Sequence, residues 1–187
     1  TENPVQEVPV AKALAQWAHQ RWNFNKTVAE PLSPFRWQRR RSRPALYETK
    51  VIGGEEVVKV GLWKGDTPHP RQAGVGTDTP CEFVLEETPA TNEKFHILQA
   101  EELLDQGRKL ARRLENEQDE RPIVLVWDAR RLSAESGDDL NFLIEAAVQV
   151  GGLLMDGMGD ALVIRSHLPA QRILTLSYNL LQAARLR

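Results

Sequence analysis

From Glu101 to Arg187 apolar positions recur regularly, whereas before Ala45 they are sparse and mixed with arginine and proline. Leu103, Leu104, Gly107, Leu110, Ala111 and Leu114 share one broad face and predict an amphipathic helix over 101–117. Pro122 then precedes Ile123-Val124-Leu125-Val126-Trp127, a continuous apolar run of the kind found in strands covered on both faces. Leu140, Leu143, Ile144, Ala147 and Val148 predict a second helix over 139–150, which Gly151-Gly152 is expected to stop. Leu153-Leu154-Met155 and Ala161-Leu162-Val163-Ile164 read as two strands, split by Asp156-Gly157-Met158-Gly159-Asp160. Pro169 opens a final helix carrying Leu174, Leu176, Leu180 and Leu181.

The first half is less regular. Asn3-Pro4 has the form of a helix start, but Pro9 is expected to interrupt it. The longer helix is therefore placed at 9–20, with Val10, Leu14 and Trp17 as a narrow stripe. Trp22, Phe24, Phe35 and Trp37 then alternate with Arg36, Arg39, Arg40, Arg41 and Arg43 among prolines. Leu46-Tyr47, Val51-Ile52 and the run Val57 to Val60 read as strands, with Gly53-Gly54 as a hairpin turn. Residues 65–80 read as a long surface loop, and Cys81 to Leu85 as a short strand. Strand, helix and strand in that order imply a parallel pair with a right-handed crossover. The predicted fold is α/β, a parallel sheet or partial TIM-barrel-like domain with an antiparallel hairpin. Residues 1–44 are expected to form an N-terminal helical arm and basic linker, and residues 45–187 the α/β domain.

At 187 residues the chain has room for one domain with an arm, and 24 basic against 26 acidic residues leave a charge of −2. That balance supplies no general attraction to nucleic acid. No apolar run approaches the ~20 residues of a membrane-spanning helix, and Thr1 to Val10 lack the basic start and apolar stretch of a secretory signal. Cys81 is the only cysteine, so no intramolecular disulfide or all-cysteine metal site can form within the chain. A reducing, cytoplasmic setting is expected.

Candidate chemistry is thin. Asp128 and Asp156 each follow a predicted strand, where a parallel sheet lines its ligand crevice, and Asp160 adds a third carboxylate for a hard cation. Against this, aspartate often closes the turn after a strand, and no base, nucleophile or ligand spacing accompanies the three. Gly157 and Gly159 offer backbone N–H groups to a phosphate, yet Gly-Met-Gly matches no nucleotide fingerprint and is flanked by acids, which favours a tight turn. The arginines from Arg36 to Arg43, beside Phe35 and Trp37, suit a diphosphate, RNA or an acidic protein, or else form a solvated linker. His19, His69, His96 and His167 show no ligand spacing, and Ser133, Ser136 and Ser166 lack a nucleophile-elbow context. No catalytic, cofactor-binding or metal-binding residue is assigned from spacing.

Two segments carry a resemblance. Gly151-Gly152-Leu153-Leu154-Met155-Asp156-Gly157-Met158-Gly159-Asp160, with Asn179-Leu180-Leu181-Gln182-Ala183-Ala184-Arg185-Leu186-Arg187, resembles the large three-domain type of 4-hydroxy-3-methylbut-2-enyl diphosphate synthase. Thr1 to Val10 resembles the family segment that leaves the catalytic barrel. The resemblance implies an inserted middle domain of this iron–sulfur oxidoreductase of non-mevalonate isoprenoid synthesis. The family reaction is the two-electron reductive ring opening of 2-C-methyl-D-erythritol 2,4-cyclodiphosphate. A [4Fe–4S] cluster is implied for the parent, with ferredoxin or flavodoxin as donor, and the flanking barrel and iron–sulfur domains as partners. In the family a Cys-Pro-x-Cys-Gly motif would follow Arg187, so the cluster ligands are expected outside this segment. The segment alone is expected to be an inactive structural spacer. The rival expectations are a donor-docking module at the arginine patch and a small-ligand or metal pocket at Asp128, Asp156 and Asp160.

Overall fold

The computed structural model describes residues 4–21, 39–66, 70–86, 93–135 and 139–187. Five strands form one all-parallel sheet: β3 (Lys59–Trp63), β4 (Phe83–Leu85), β5 (His96–Ala100), β6 (Ile123–Asp128) and β7 (Ala161–Arg165). Two shorter strands, β1 (Ala45–Tyr47) and β2 (Lys50–Ile52), make a separate antiparallel hairpin. The sheet order is β4-β3-β7-β6-β5. First and last strands thus lie side by side, and only β4 and β5 are parted. This is the cyclic order of a small parallel barrel opened between β4 and β5, in line with the α/β partial-barrel expectation.

The two faces are filled differently. One carries Val60, Leu62, Leu125, Trp127, Leu162 and Ile164 against helices α2 (Leu103–Asn116), α4 (Asp139–Ala146), α5 (Gly152–Met155) and α6 (Ala170–Ala183). The other carries Trp63, Phe83, Leu85, Val124, Val126 and Val163, over which the hairpin lays Ile52 and Tyr47. Both faces being covered explains why β6 and β7 read as unbroken apolar runs rather than alternating ones. Tyr47 meets Phe83 and Phe95 edge-on, and its hydroxyl donates to the Val84 carbonyl at 3.0 Å. That bond ties the hairpin to the edge strand β4.

Several expectations are corrected. The helix α1 (Pro4–Arg21) runs through Pro9, which forfeits the one intrahelical bond to the Val5 carbonyl without ending the helix, and it lies against α4. The hairpin turns at Glu48-Thr49, with Glu48 at a positive φ of 50°, not at Gly53-Gly54. The glycine pair instead lets the chain pass the Arg43 carbonyl, which a Cβ on Gly53 would meet at 2.8 Å. Strand β5 and the short helix α3 (Arg130–Glu135) were not read from the sequence. Leu153–Met155 is helical, not a strand: from Asp139 the helix continues through a wider π turn (Ala147–Gly151) into α5.

The misread glycines show why. Gly151 and Gly152 hold ordinary right-handed helical angles. A Cβ on Gly152 would meet Leu104 at 2.9 Å, and one on Gly107 would meet Leu153 at 2.5 Å. The glycines are notches through which α2 and α5 approach, and Gln149 of the π turn caps the Leu104 amide of α2 at 3.1 Å. Gly107→Ala is expected to destabilise by about 1–3 kcal/mol through overpacking. Gly151→Ala, whose Cβ has only Leu180 at 3.9 Å, is expected to stabilise by about 0.5–1 kcal/mol. Urea unfolding of the two variants checks both signs, and destabilisation by Gly151→Ala would restore the helix-stop reading.

Candidate functional site

Polar side chains gather at both ends of the parallel sheet. At the carboxyl end, where such sheets place ligands, Asp128 accepts from Arg130 Nε at 2.8 Å and Nη2 at 2.6 Å, and from Gln99 at 3.3 Å. Arg165, at the end of β7, is only 7% exposed. It donates to both oxygens of Asp66 at 2.8 and 2.9 Å, and its guanidinium lies 4.0 Å from the centre of the Trp63 ring. Hydrogen bonds from Arg130, opposed by burial, hold the Asp128 carboxyl below its ordinary value. Two aspartates and two arginines therefore neutralise one another here. Ser166 Oγ accepts from the Leu168 amide at 3.2 Å, as a turn residue does.

At the amino end the organising group is Asp160, which is 3% exposed. Its Oδ1 accepts from Ser42 Oγ at 2.7 Å and Arg39 Nη2 at 3.0 Å, and its Oδ2 from the Ile123 amide at 2.8 Å. Its own amide donates to the Ile123 carbonyl at 2.8 Å. Residues 39–43 are thus drawn across the start of the sheet as a strap. The Arg40 amide bonds the Gly157 carbonyl, the Arg43 amide bonds that of Glu120, and the Arg40 guanidinium bonds the carbonyls of Asp119 and Arg121. Burial lowers the Arg40 pKa, while Asp160, Asp119 and Glu120 oppose that shift. The strap, Asp119, Asp156 and Met158 line an open groove of about 1060 Å³.

These placements set Asp128 apart from Asp160, two of the three aspartates expected to share one pocket. Asp128 ends β6 and Asp160 bonds its first residue, so five strand steps, about 17 Å, lie between them. Asp156 follows a helix rather than a strand, and Arg108 Nε binds it at 2.8 Å. Asp128 and Asp160 therefore stand at opposite ends of β6, and Asp156 follows α5 instead of the strand expected before it. Among the described residues no group of three histidine, cysteine or acidic side chains is placed to hold a metal.

The glycine loop is a turn. The amides of Gly157 and Met158 bond the carbonyls of Leu154 and Leu153, closing α5, and Gly159 has a φ of 104° where a Cβ would strike Leu125. Of the arginine patch, Arg39 and Arg40 are taken up by the strap, Arg41 and Arg43 remain exposed, and Arg36 with Phe35 and Trp37 lies outside the described residues. His69 and Ser136 also lie outside them, as do the side chains of His19 and Ser133. His96, which shows no ligand spacing, pairs with Asp119 at 3.0 Å. A [4Fe–4S] cluster takes several thiolates. Cys81 is the one cysteine, with its Sγ 3.0 Å from the Phe83 carbonyl, so these residues do not fit such a group.

Asp119 yields a pH dependence. Hydrogen bonds from the Arg121 side chain, opposed by burial and aided by the Arg121 amide and His96, hold its carboxyl well below the usual range. A depressed native pKa means the stabilisation is complete above the unfolded value of about 3.9 and is lost as pH falls through and below it. Asp119→Asn is therefore expected to flatten the fall in unfolding free energy between about pH 5 and pH 2. Urea titrations across that range check this, and an unchanged acid slope would contradict it.

No family model matches the chain, and no solved structure matches it. It is 39% identical over 80 residues to the 4-hydroxy-3-methylbut-2-en-1-yl diphosphate synthase (flavodoxin) of Chlorobaculum tepidum, a match covering 43% of this chain and 10% of that protein. It is 27% identical over 209 residues to the enzyme of the same name from Akkermansia muciniphila, covering 98% of this chain and 35% of that one. The chain spans about a third or less of the length of these curated relatives. It is thus similar to a segment of the 4-hydroxy-3-methylbut-2-enyl diphosphate synthases, the family its sequence resembles.

Proposed function

We propose that the chain is a segment of a 4-hydroxy-3-methylbut-2-enyl diphosphate synthase and that its α/β body serves as a spacer between the catalytic barrel and the iron–sulfur domain. The parent would reduce and open the ring of 2-C-methyl-D-erythritol 2,4-cyclodiphosphate in non-mevalonate isoprenoid synthesis. Its [4Fe–4S] ligands would lie outside these residues, since the chain's single cysteine cannot supply them. The relatives' names give flavodoxin, which makes a flavodoxin the first choice of donor, with ferredoxin as the alternative.

One observation carries the spacer reading. Each carboxylate that the sequence singled out is held by an arginine of the same body: Asp128 by Arg130, Asp156 by Arg108, and Asp160 by Arg39. The oxygens so held tie loops to strands and helix to helix, which is the work of a rigid body.

The test uses the full-length enzyme. Replacing residues 39–187 with a Gly/Ser linker of about six residues, whose span averages about 13 Å, removes the body but keeps the connection. The visible absorbance of the cluster is expected to persist. Turnover with a small chemical reductant is expected to fall by about tenfold or more, because the two reacting domains lose their alignment. Full turnover by the linker enzyme would sink the spacer reading.

A further inference from the structure

Two carboxylates at the amino end of the sheet are used in the same way. Asp160 gives one oxygen to the amide of Ile123, the first residue of β6, and the other to Arg39 and Ser42 of the strap. Glu82 gives Oε2 to the amide of Val60 in β3 at 2.8 Å, and Oε1 to Arg187 Nη2 at 2.8 Å. Arg187 also lies over the Tyr178 ring, 4.8 Å from its centre, and the Tyr178 hydroxyl donates to the Pro80 carbonyl. Both carboxylates are mostly buried, with side chains 4% and 13% exposed. Each therefore bridges the backbone of a central strand to an arginine on a segment outside the sheet.

The sheet register fixes how these bridges stand to one another. Lys59, Ala161 and Val124 form one row across β3, β7 and β6, and Val60 and Ile123 are each one residue from it. With only β7 between them, β3 and β6 lie about 10 Å apart. The strap before the hairpin and the segment after α6 are thus both pinned at the amino end of the sheet, two strands apart. A domain set into another chain tolerates its place when its two connections leave close together.

We propose that Asp160 and Glu82 are the positioning residues of the spacer: through Arg39 and Arg187 they clamp the strap and the segment after α6 to the amino end of the sheet, and so help set the relative orientation of the domains on either side. This rests on the spacer reading above. An ion pair gripping a flexible arginine at a surface contributes little to folding. The same pair, with its twin anchored two strands away on a stiff sheet, removes the swivel that a single connection would leave.

The test again uses the full-length enzyme, with spin labels on the two flanking domains reporting the distance between them. The paired variant Arg39→Gln with Arg187→Gln is expected to broaden that distance distribution. It is expected to lower kcat by about tenfold with KM for the cyclic diphosphate unchanged. Arg39→Lys with Arg187→Lys keeps both cations and is expected to restore the narrow distribution, which a loss confined to folding would not do. If the paired variant fails to fold, Arg187→Gln alone is expected to show the same broadening, since Asp160 then keeps all its partners. A distribution as narrow as that of the unaltered enzyme, in variants that remain folded, overturns the clamps. That result would leave the spacer reading to the linker replacement, whereas a broad distribution in the unaltered enzyme would defeat both.

Discussion

The buried carboxylate of Asp160 is the constraint on which the amino end of the fold depends. A carboxylate this far from water is tolerated only with its oxygens filled, and here three donors fill them. One donor belongs to the sheet and two belong to a segment more than 110 residues earlier. The charge therefore makes the strap obligatory. Were residues 39–43 to lift away, Asp160 would keep only the Ile123 amide, and the Ser42 hydroxyl would release the Gly54 amide that it accepts at 3.1 Å. Strap, hairpin and sheet thus stand or fall together at this point.

From that anchor the rest of the architecture follows by packing. Five parallel strands with both faces covered need helices on one side and something apolar on the other, and the hairpin supplies Ile52 and Tyr47 for the second role. Gly61 has no side chain because the Phe83 ring occupies the space, 2.5 Å from where a Cβ would stand. At the carboxyl end the same economy of charge appears, with Asp66 and Asp128 set against Arg165 and Arg130. Among the described residues the acids at both ends are thus set against arginines of the same body.

Much of the fold was legible in the sequence because burial on both faces leaves a plain mark. The runs at 123–127 and 161–164, and the helical spacing in 103–114 and 174–181, needed only periodicity. Leu153–Met155 was misread because a short apolar run after two glycines suits a strand as well as a helix, and only the notch at Gly107 decides between them. Strand β5 escaped because His96 and Gln99 break its apolar pattern at a sheet edge. The site was less legible than the fold. Placing Asp156 on a strand put it at the wrong end of the sheet, and nothing local ties Arg39 to a residue 121 positions away. The family resemblance rests on short motifs at 1–10, 151–160 and 179–187.

Native-state hydrogen exchange tests most directly whether Asp160 makes the strap part of the folded body. The amides of Arg40, Arg43 and Gly54 bond Gly157, Glu120 and Ser42, and the amide of Ile123 bonds Asp160 itself. If the strap is integral, these four amides exchange with the same opening free energy, that of the sheet. Fast exchange at Arg40, Arg43 and Gly54, with Ile123 still protected, would show the strap to be a loose attachment and would contradict the account.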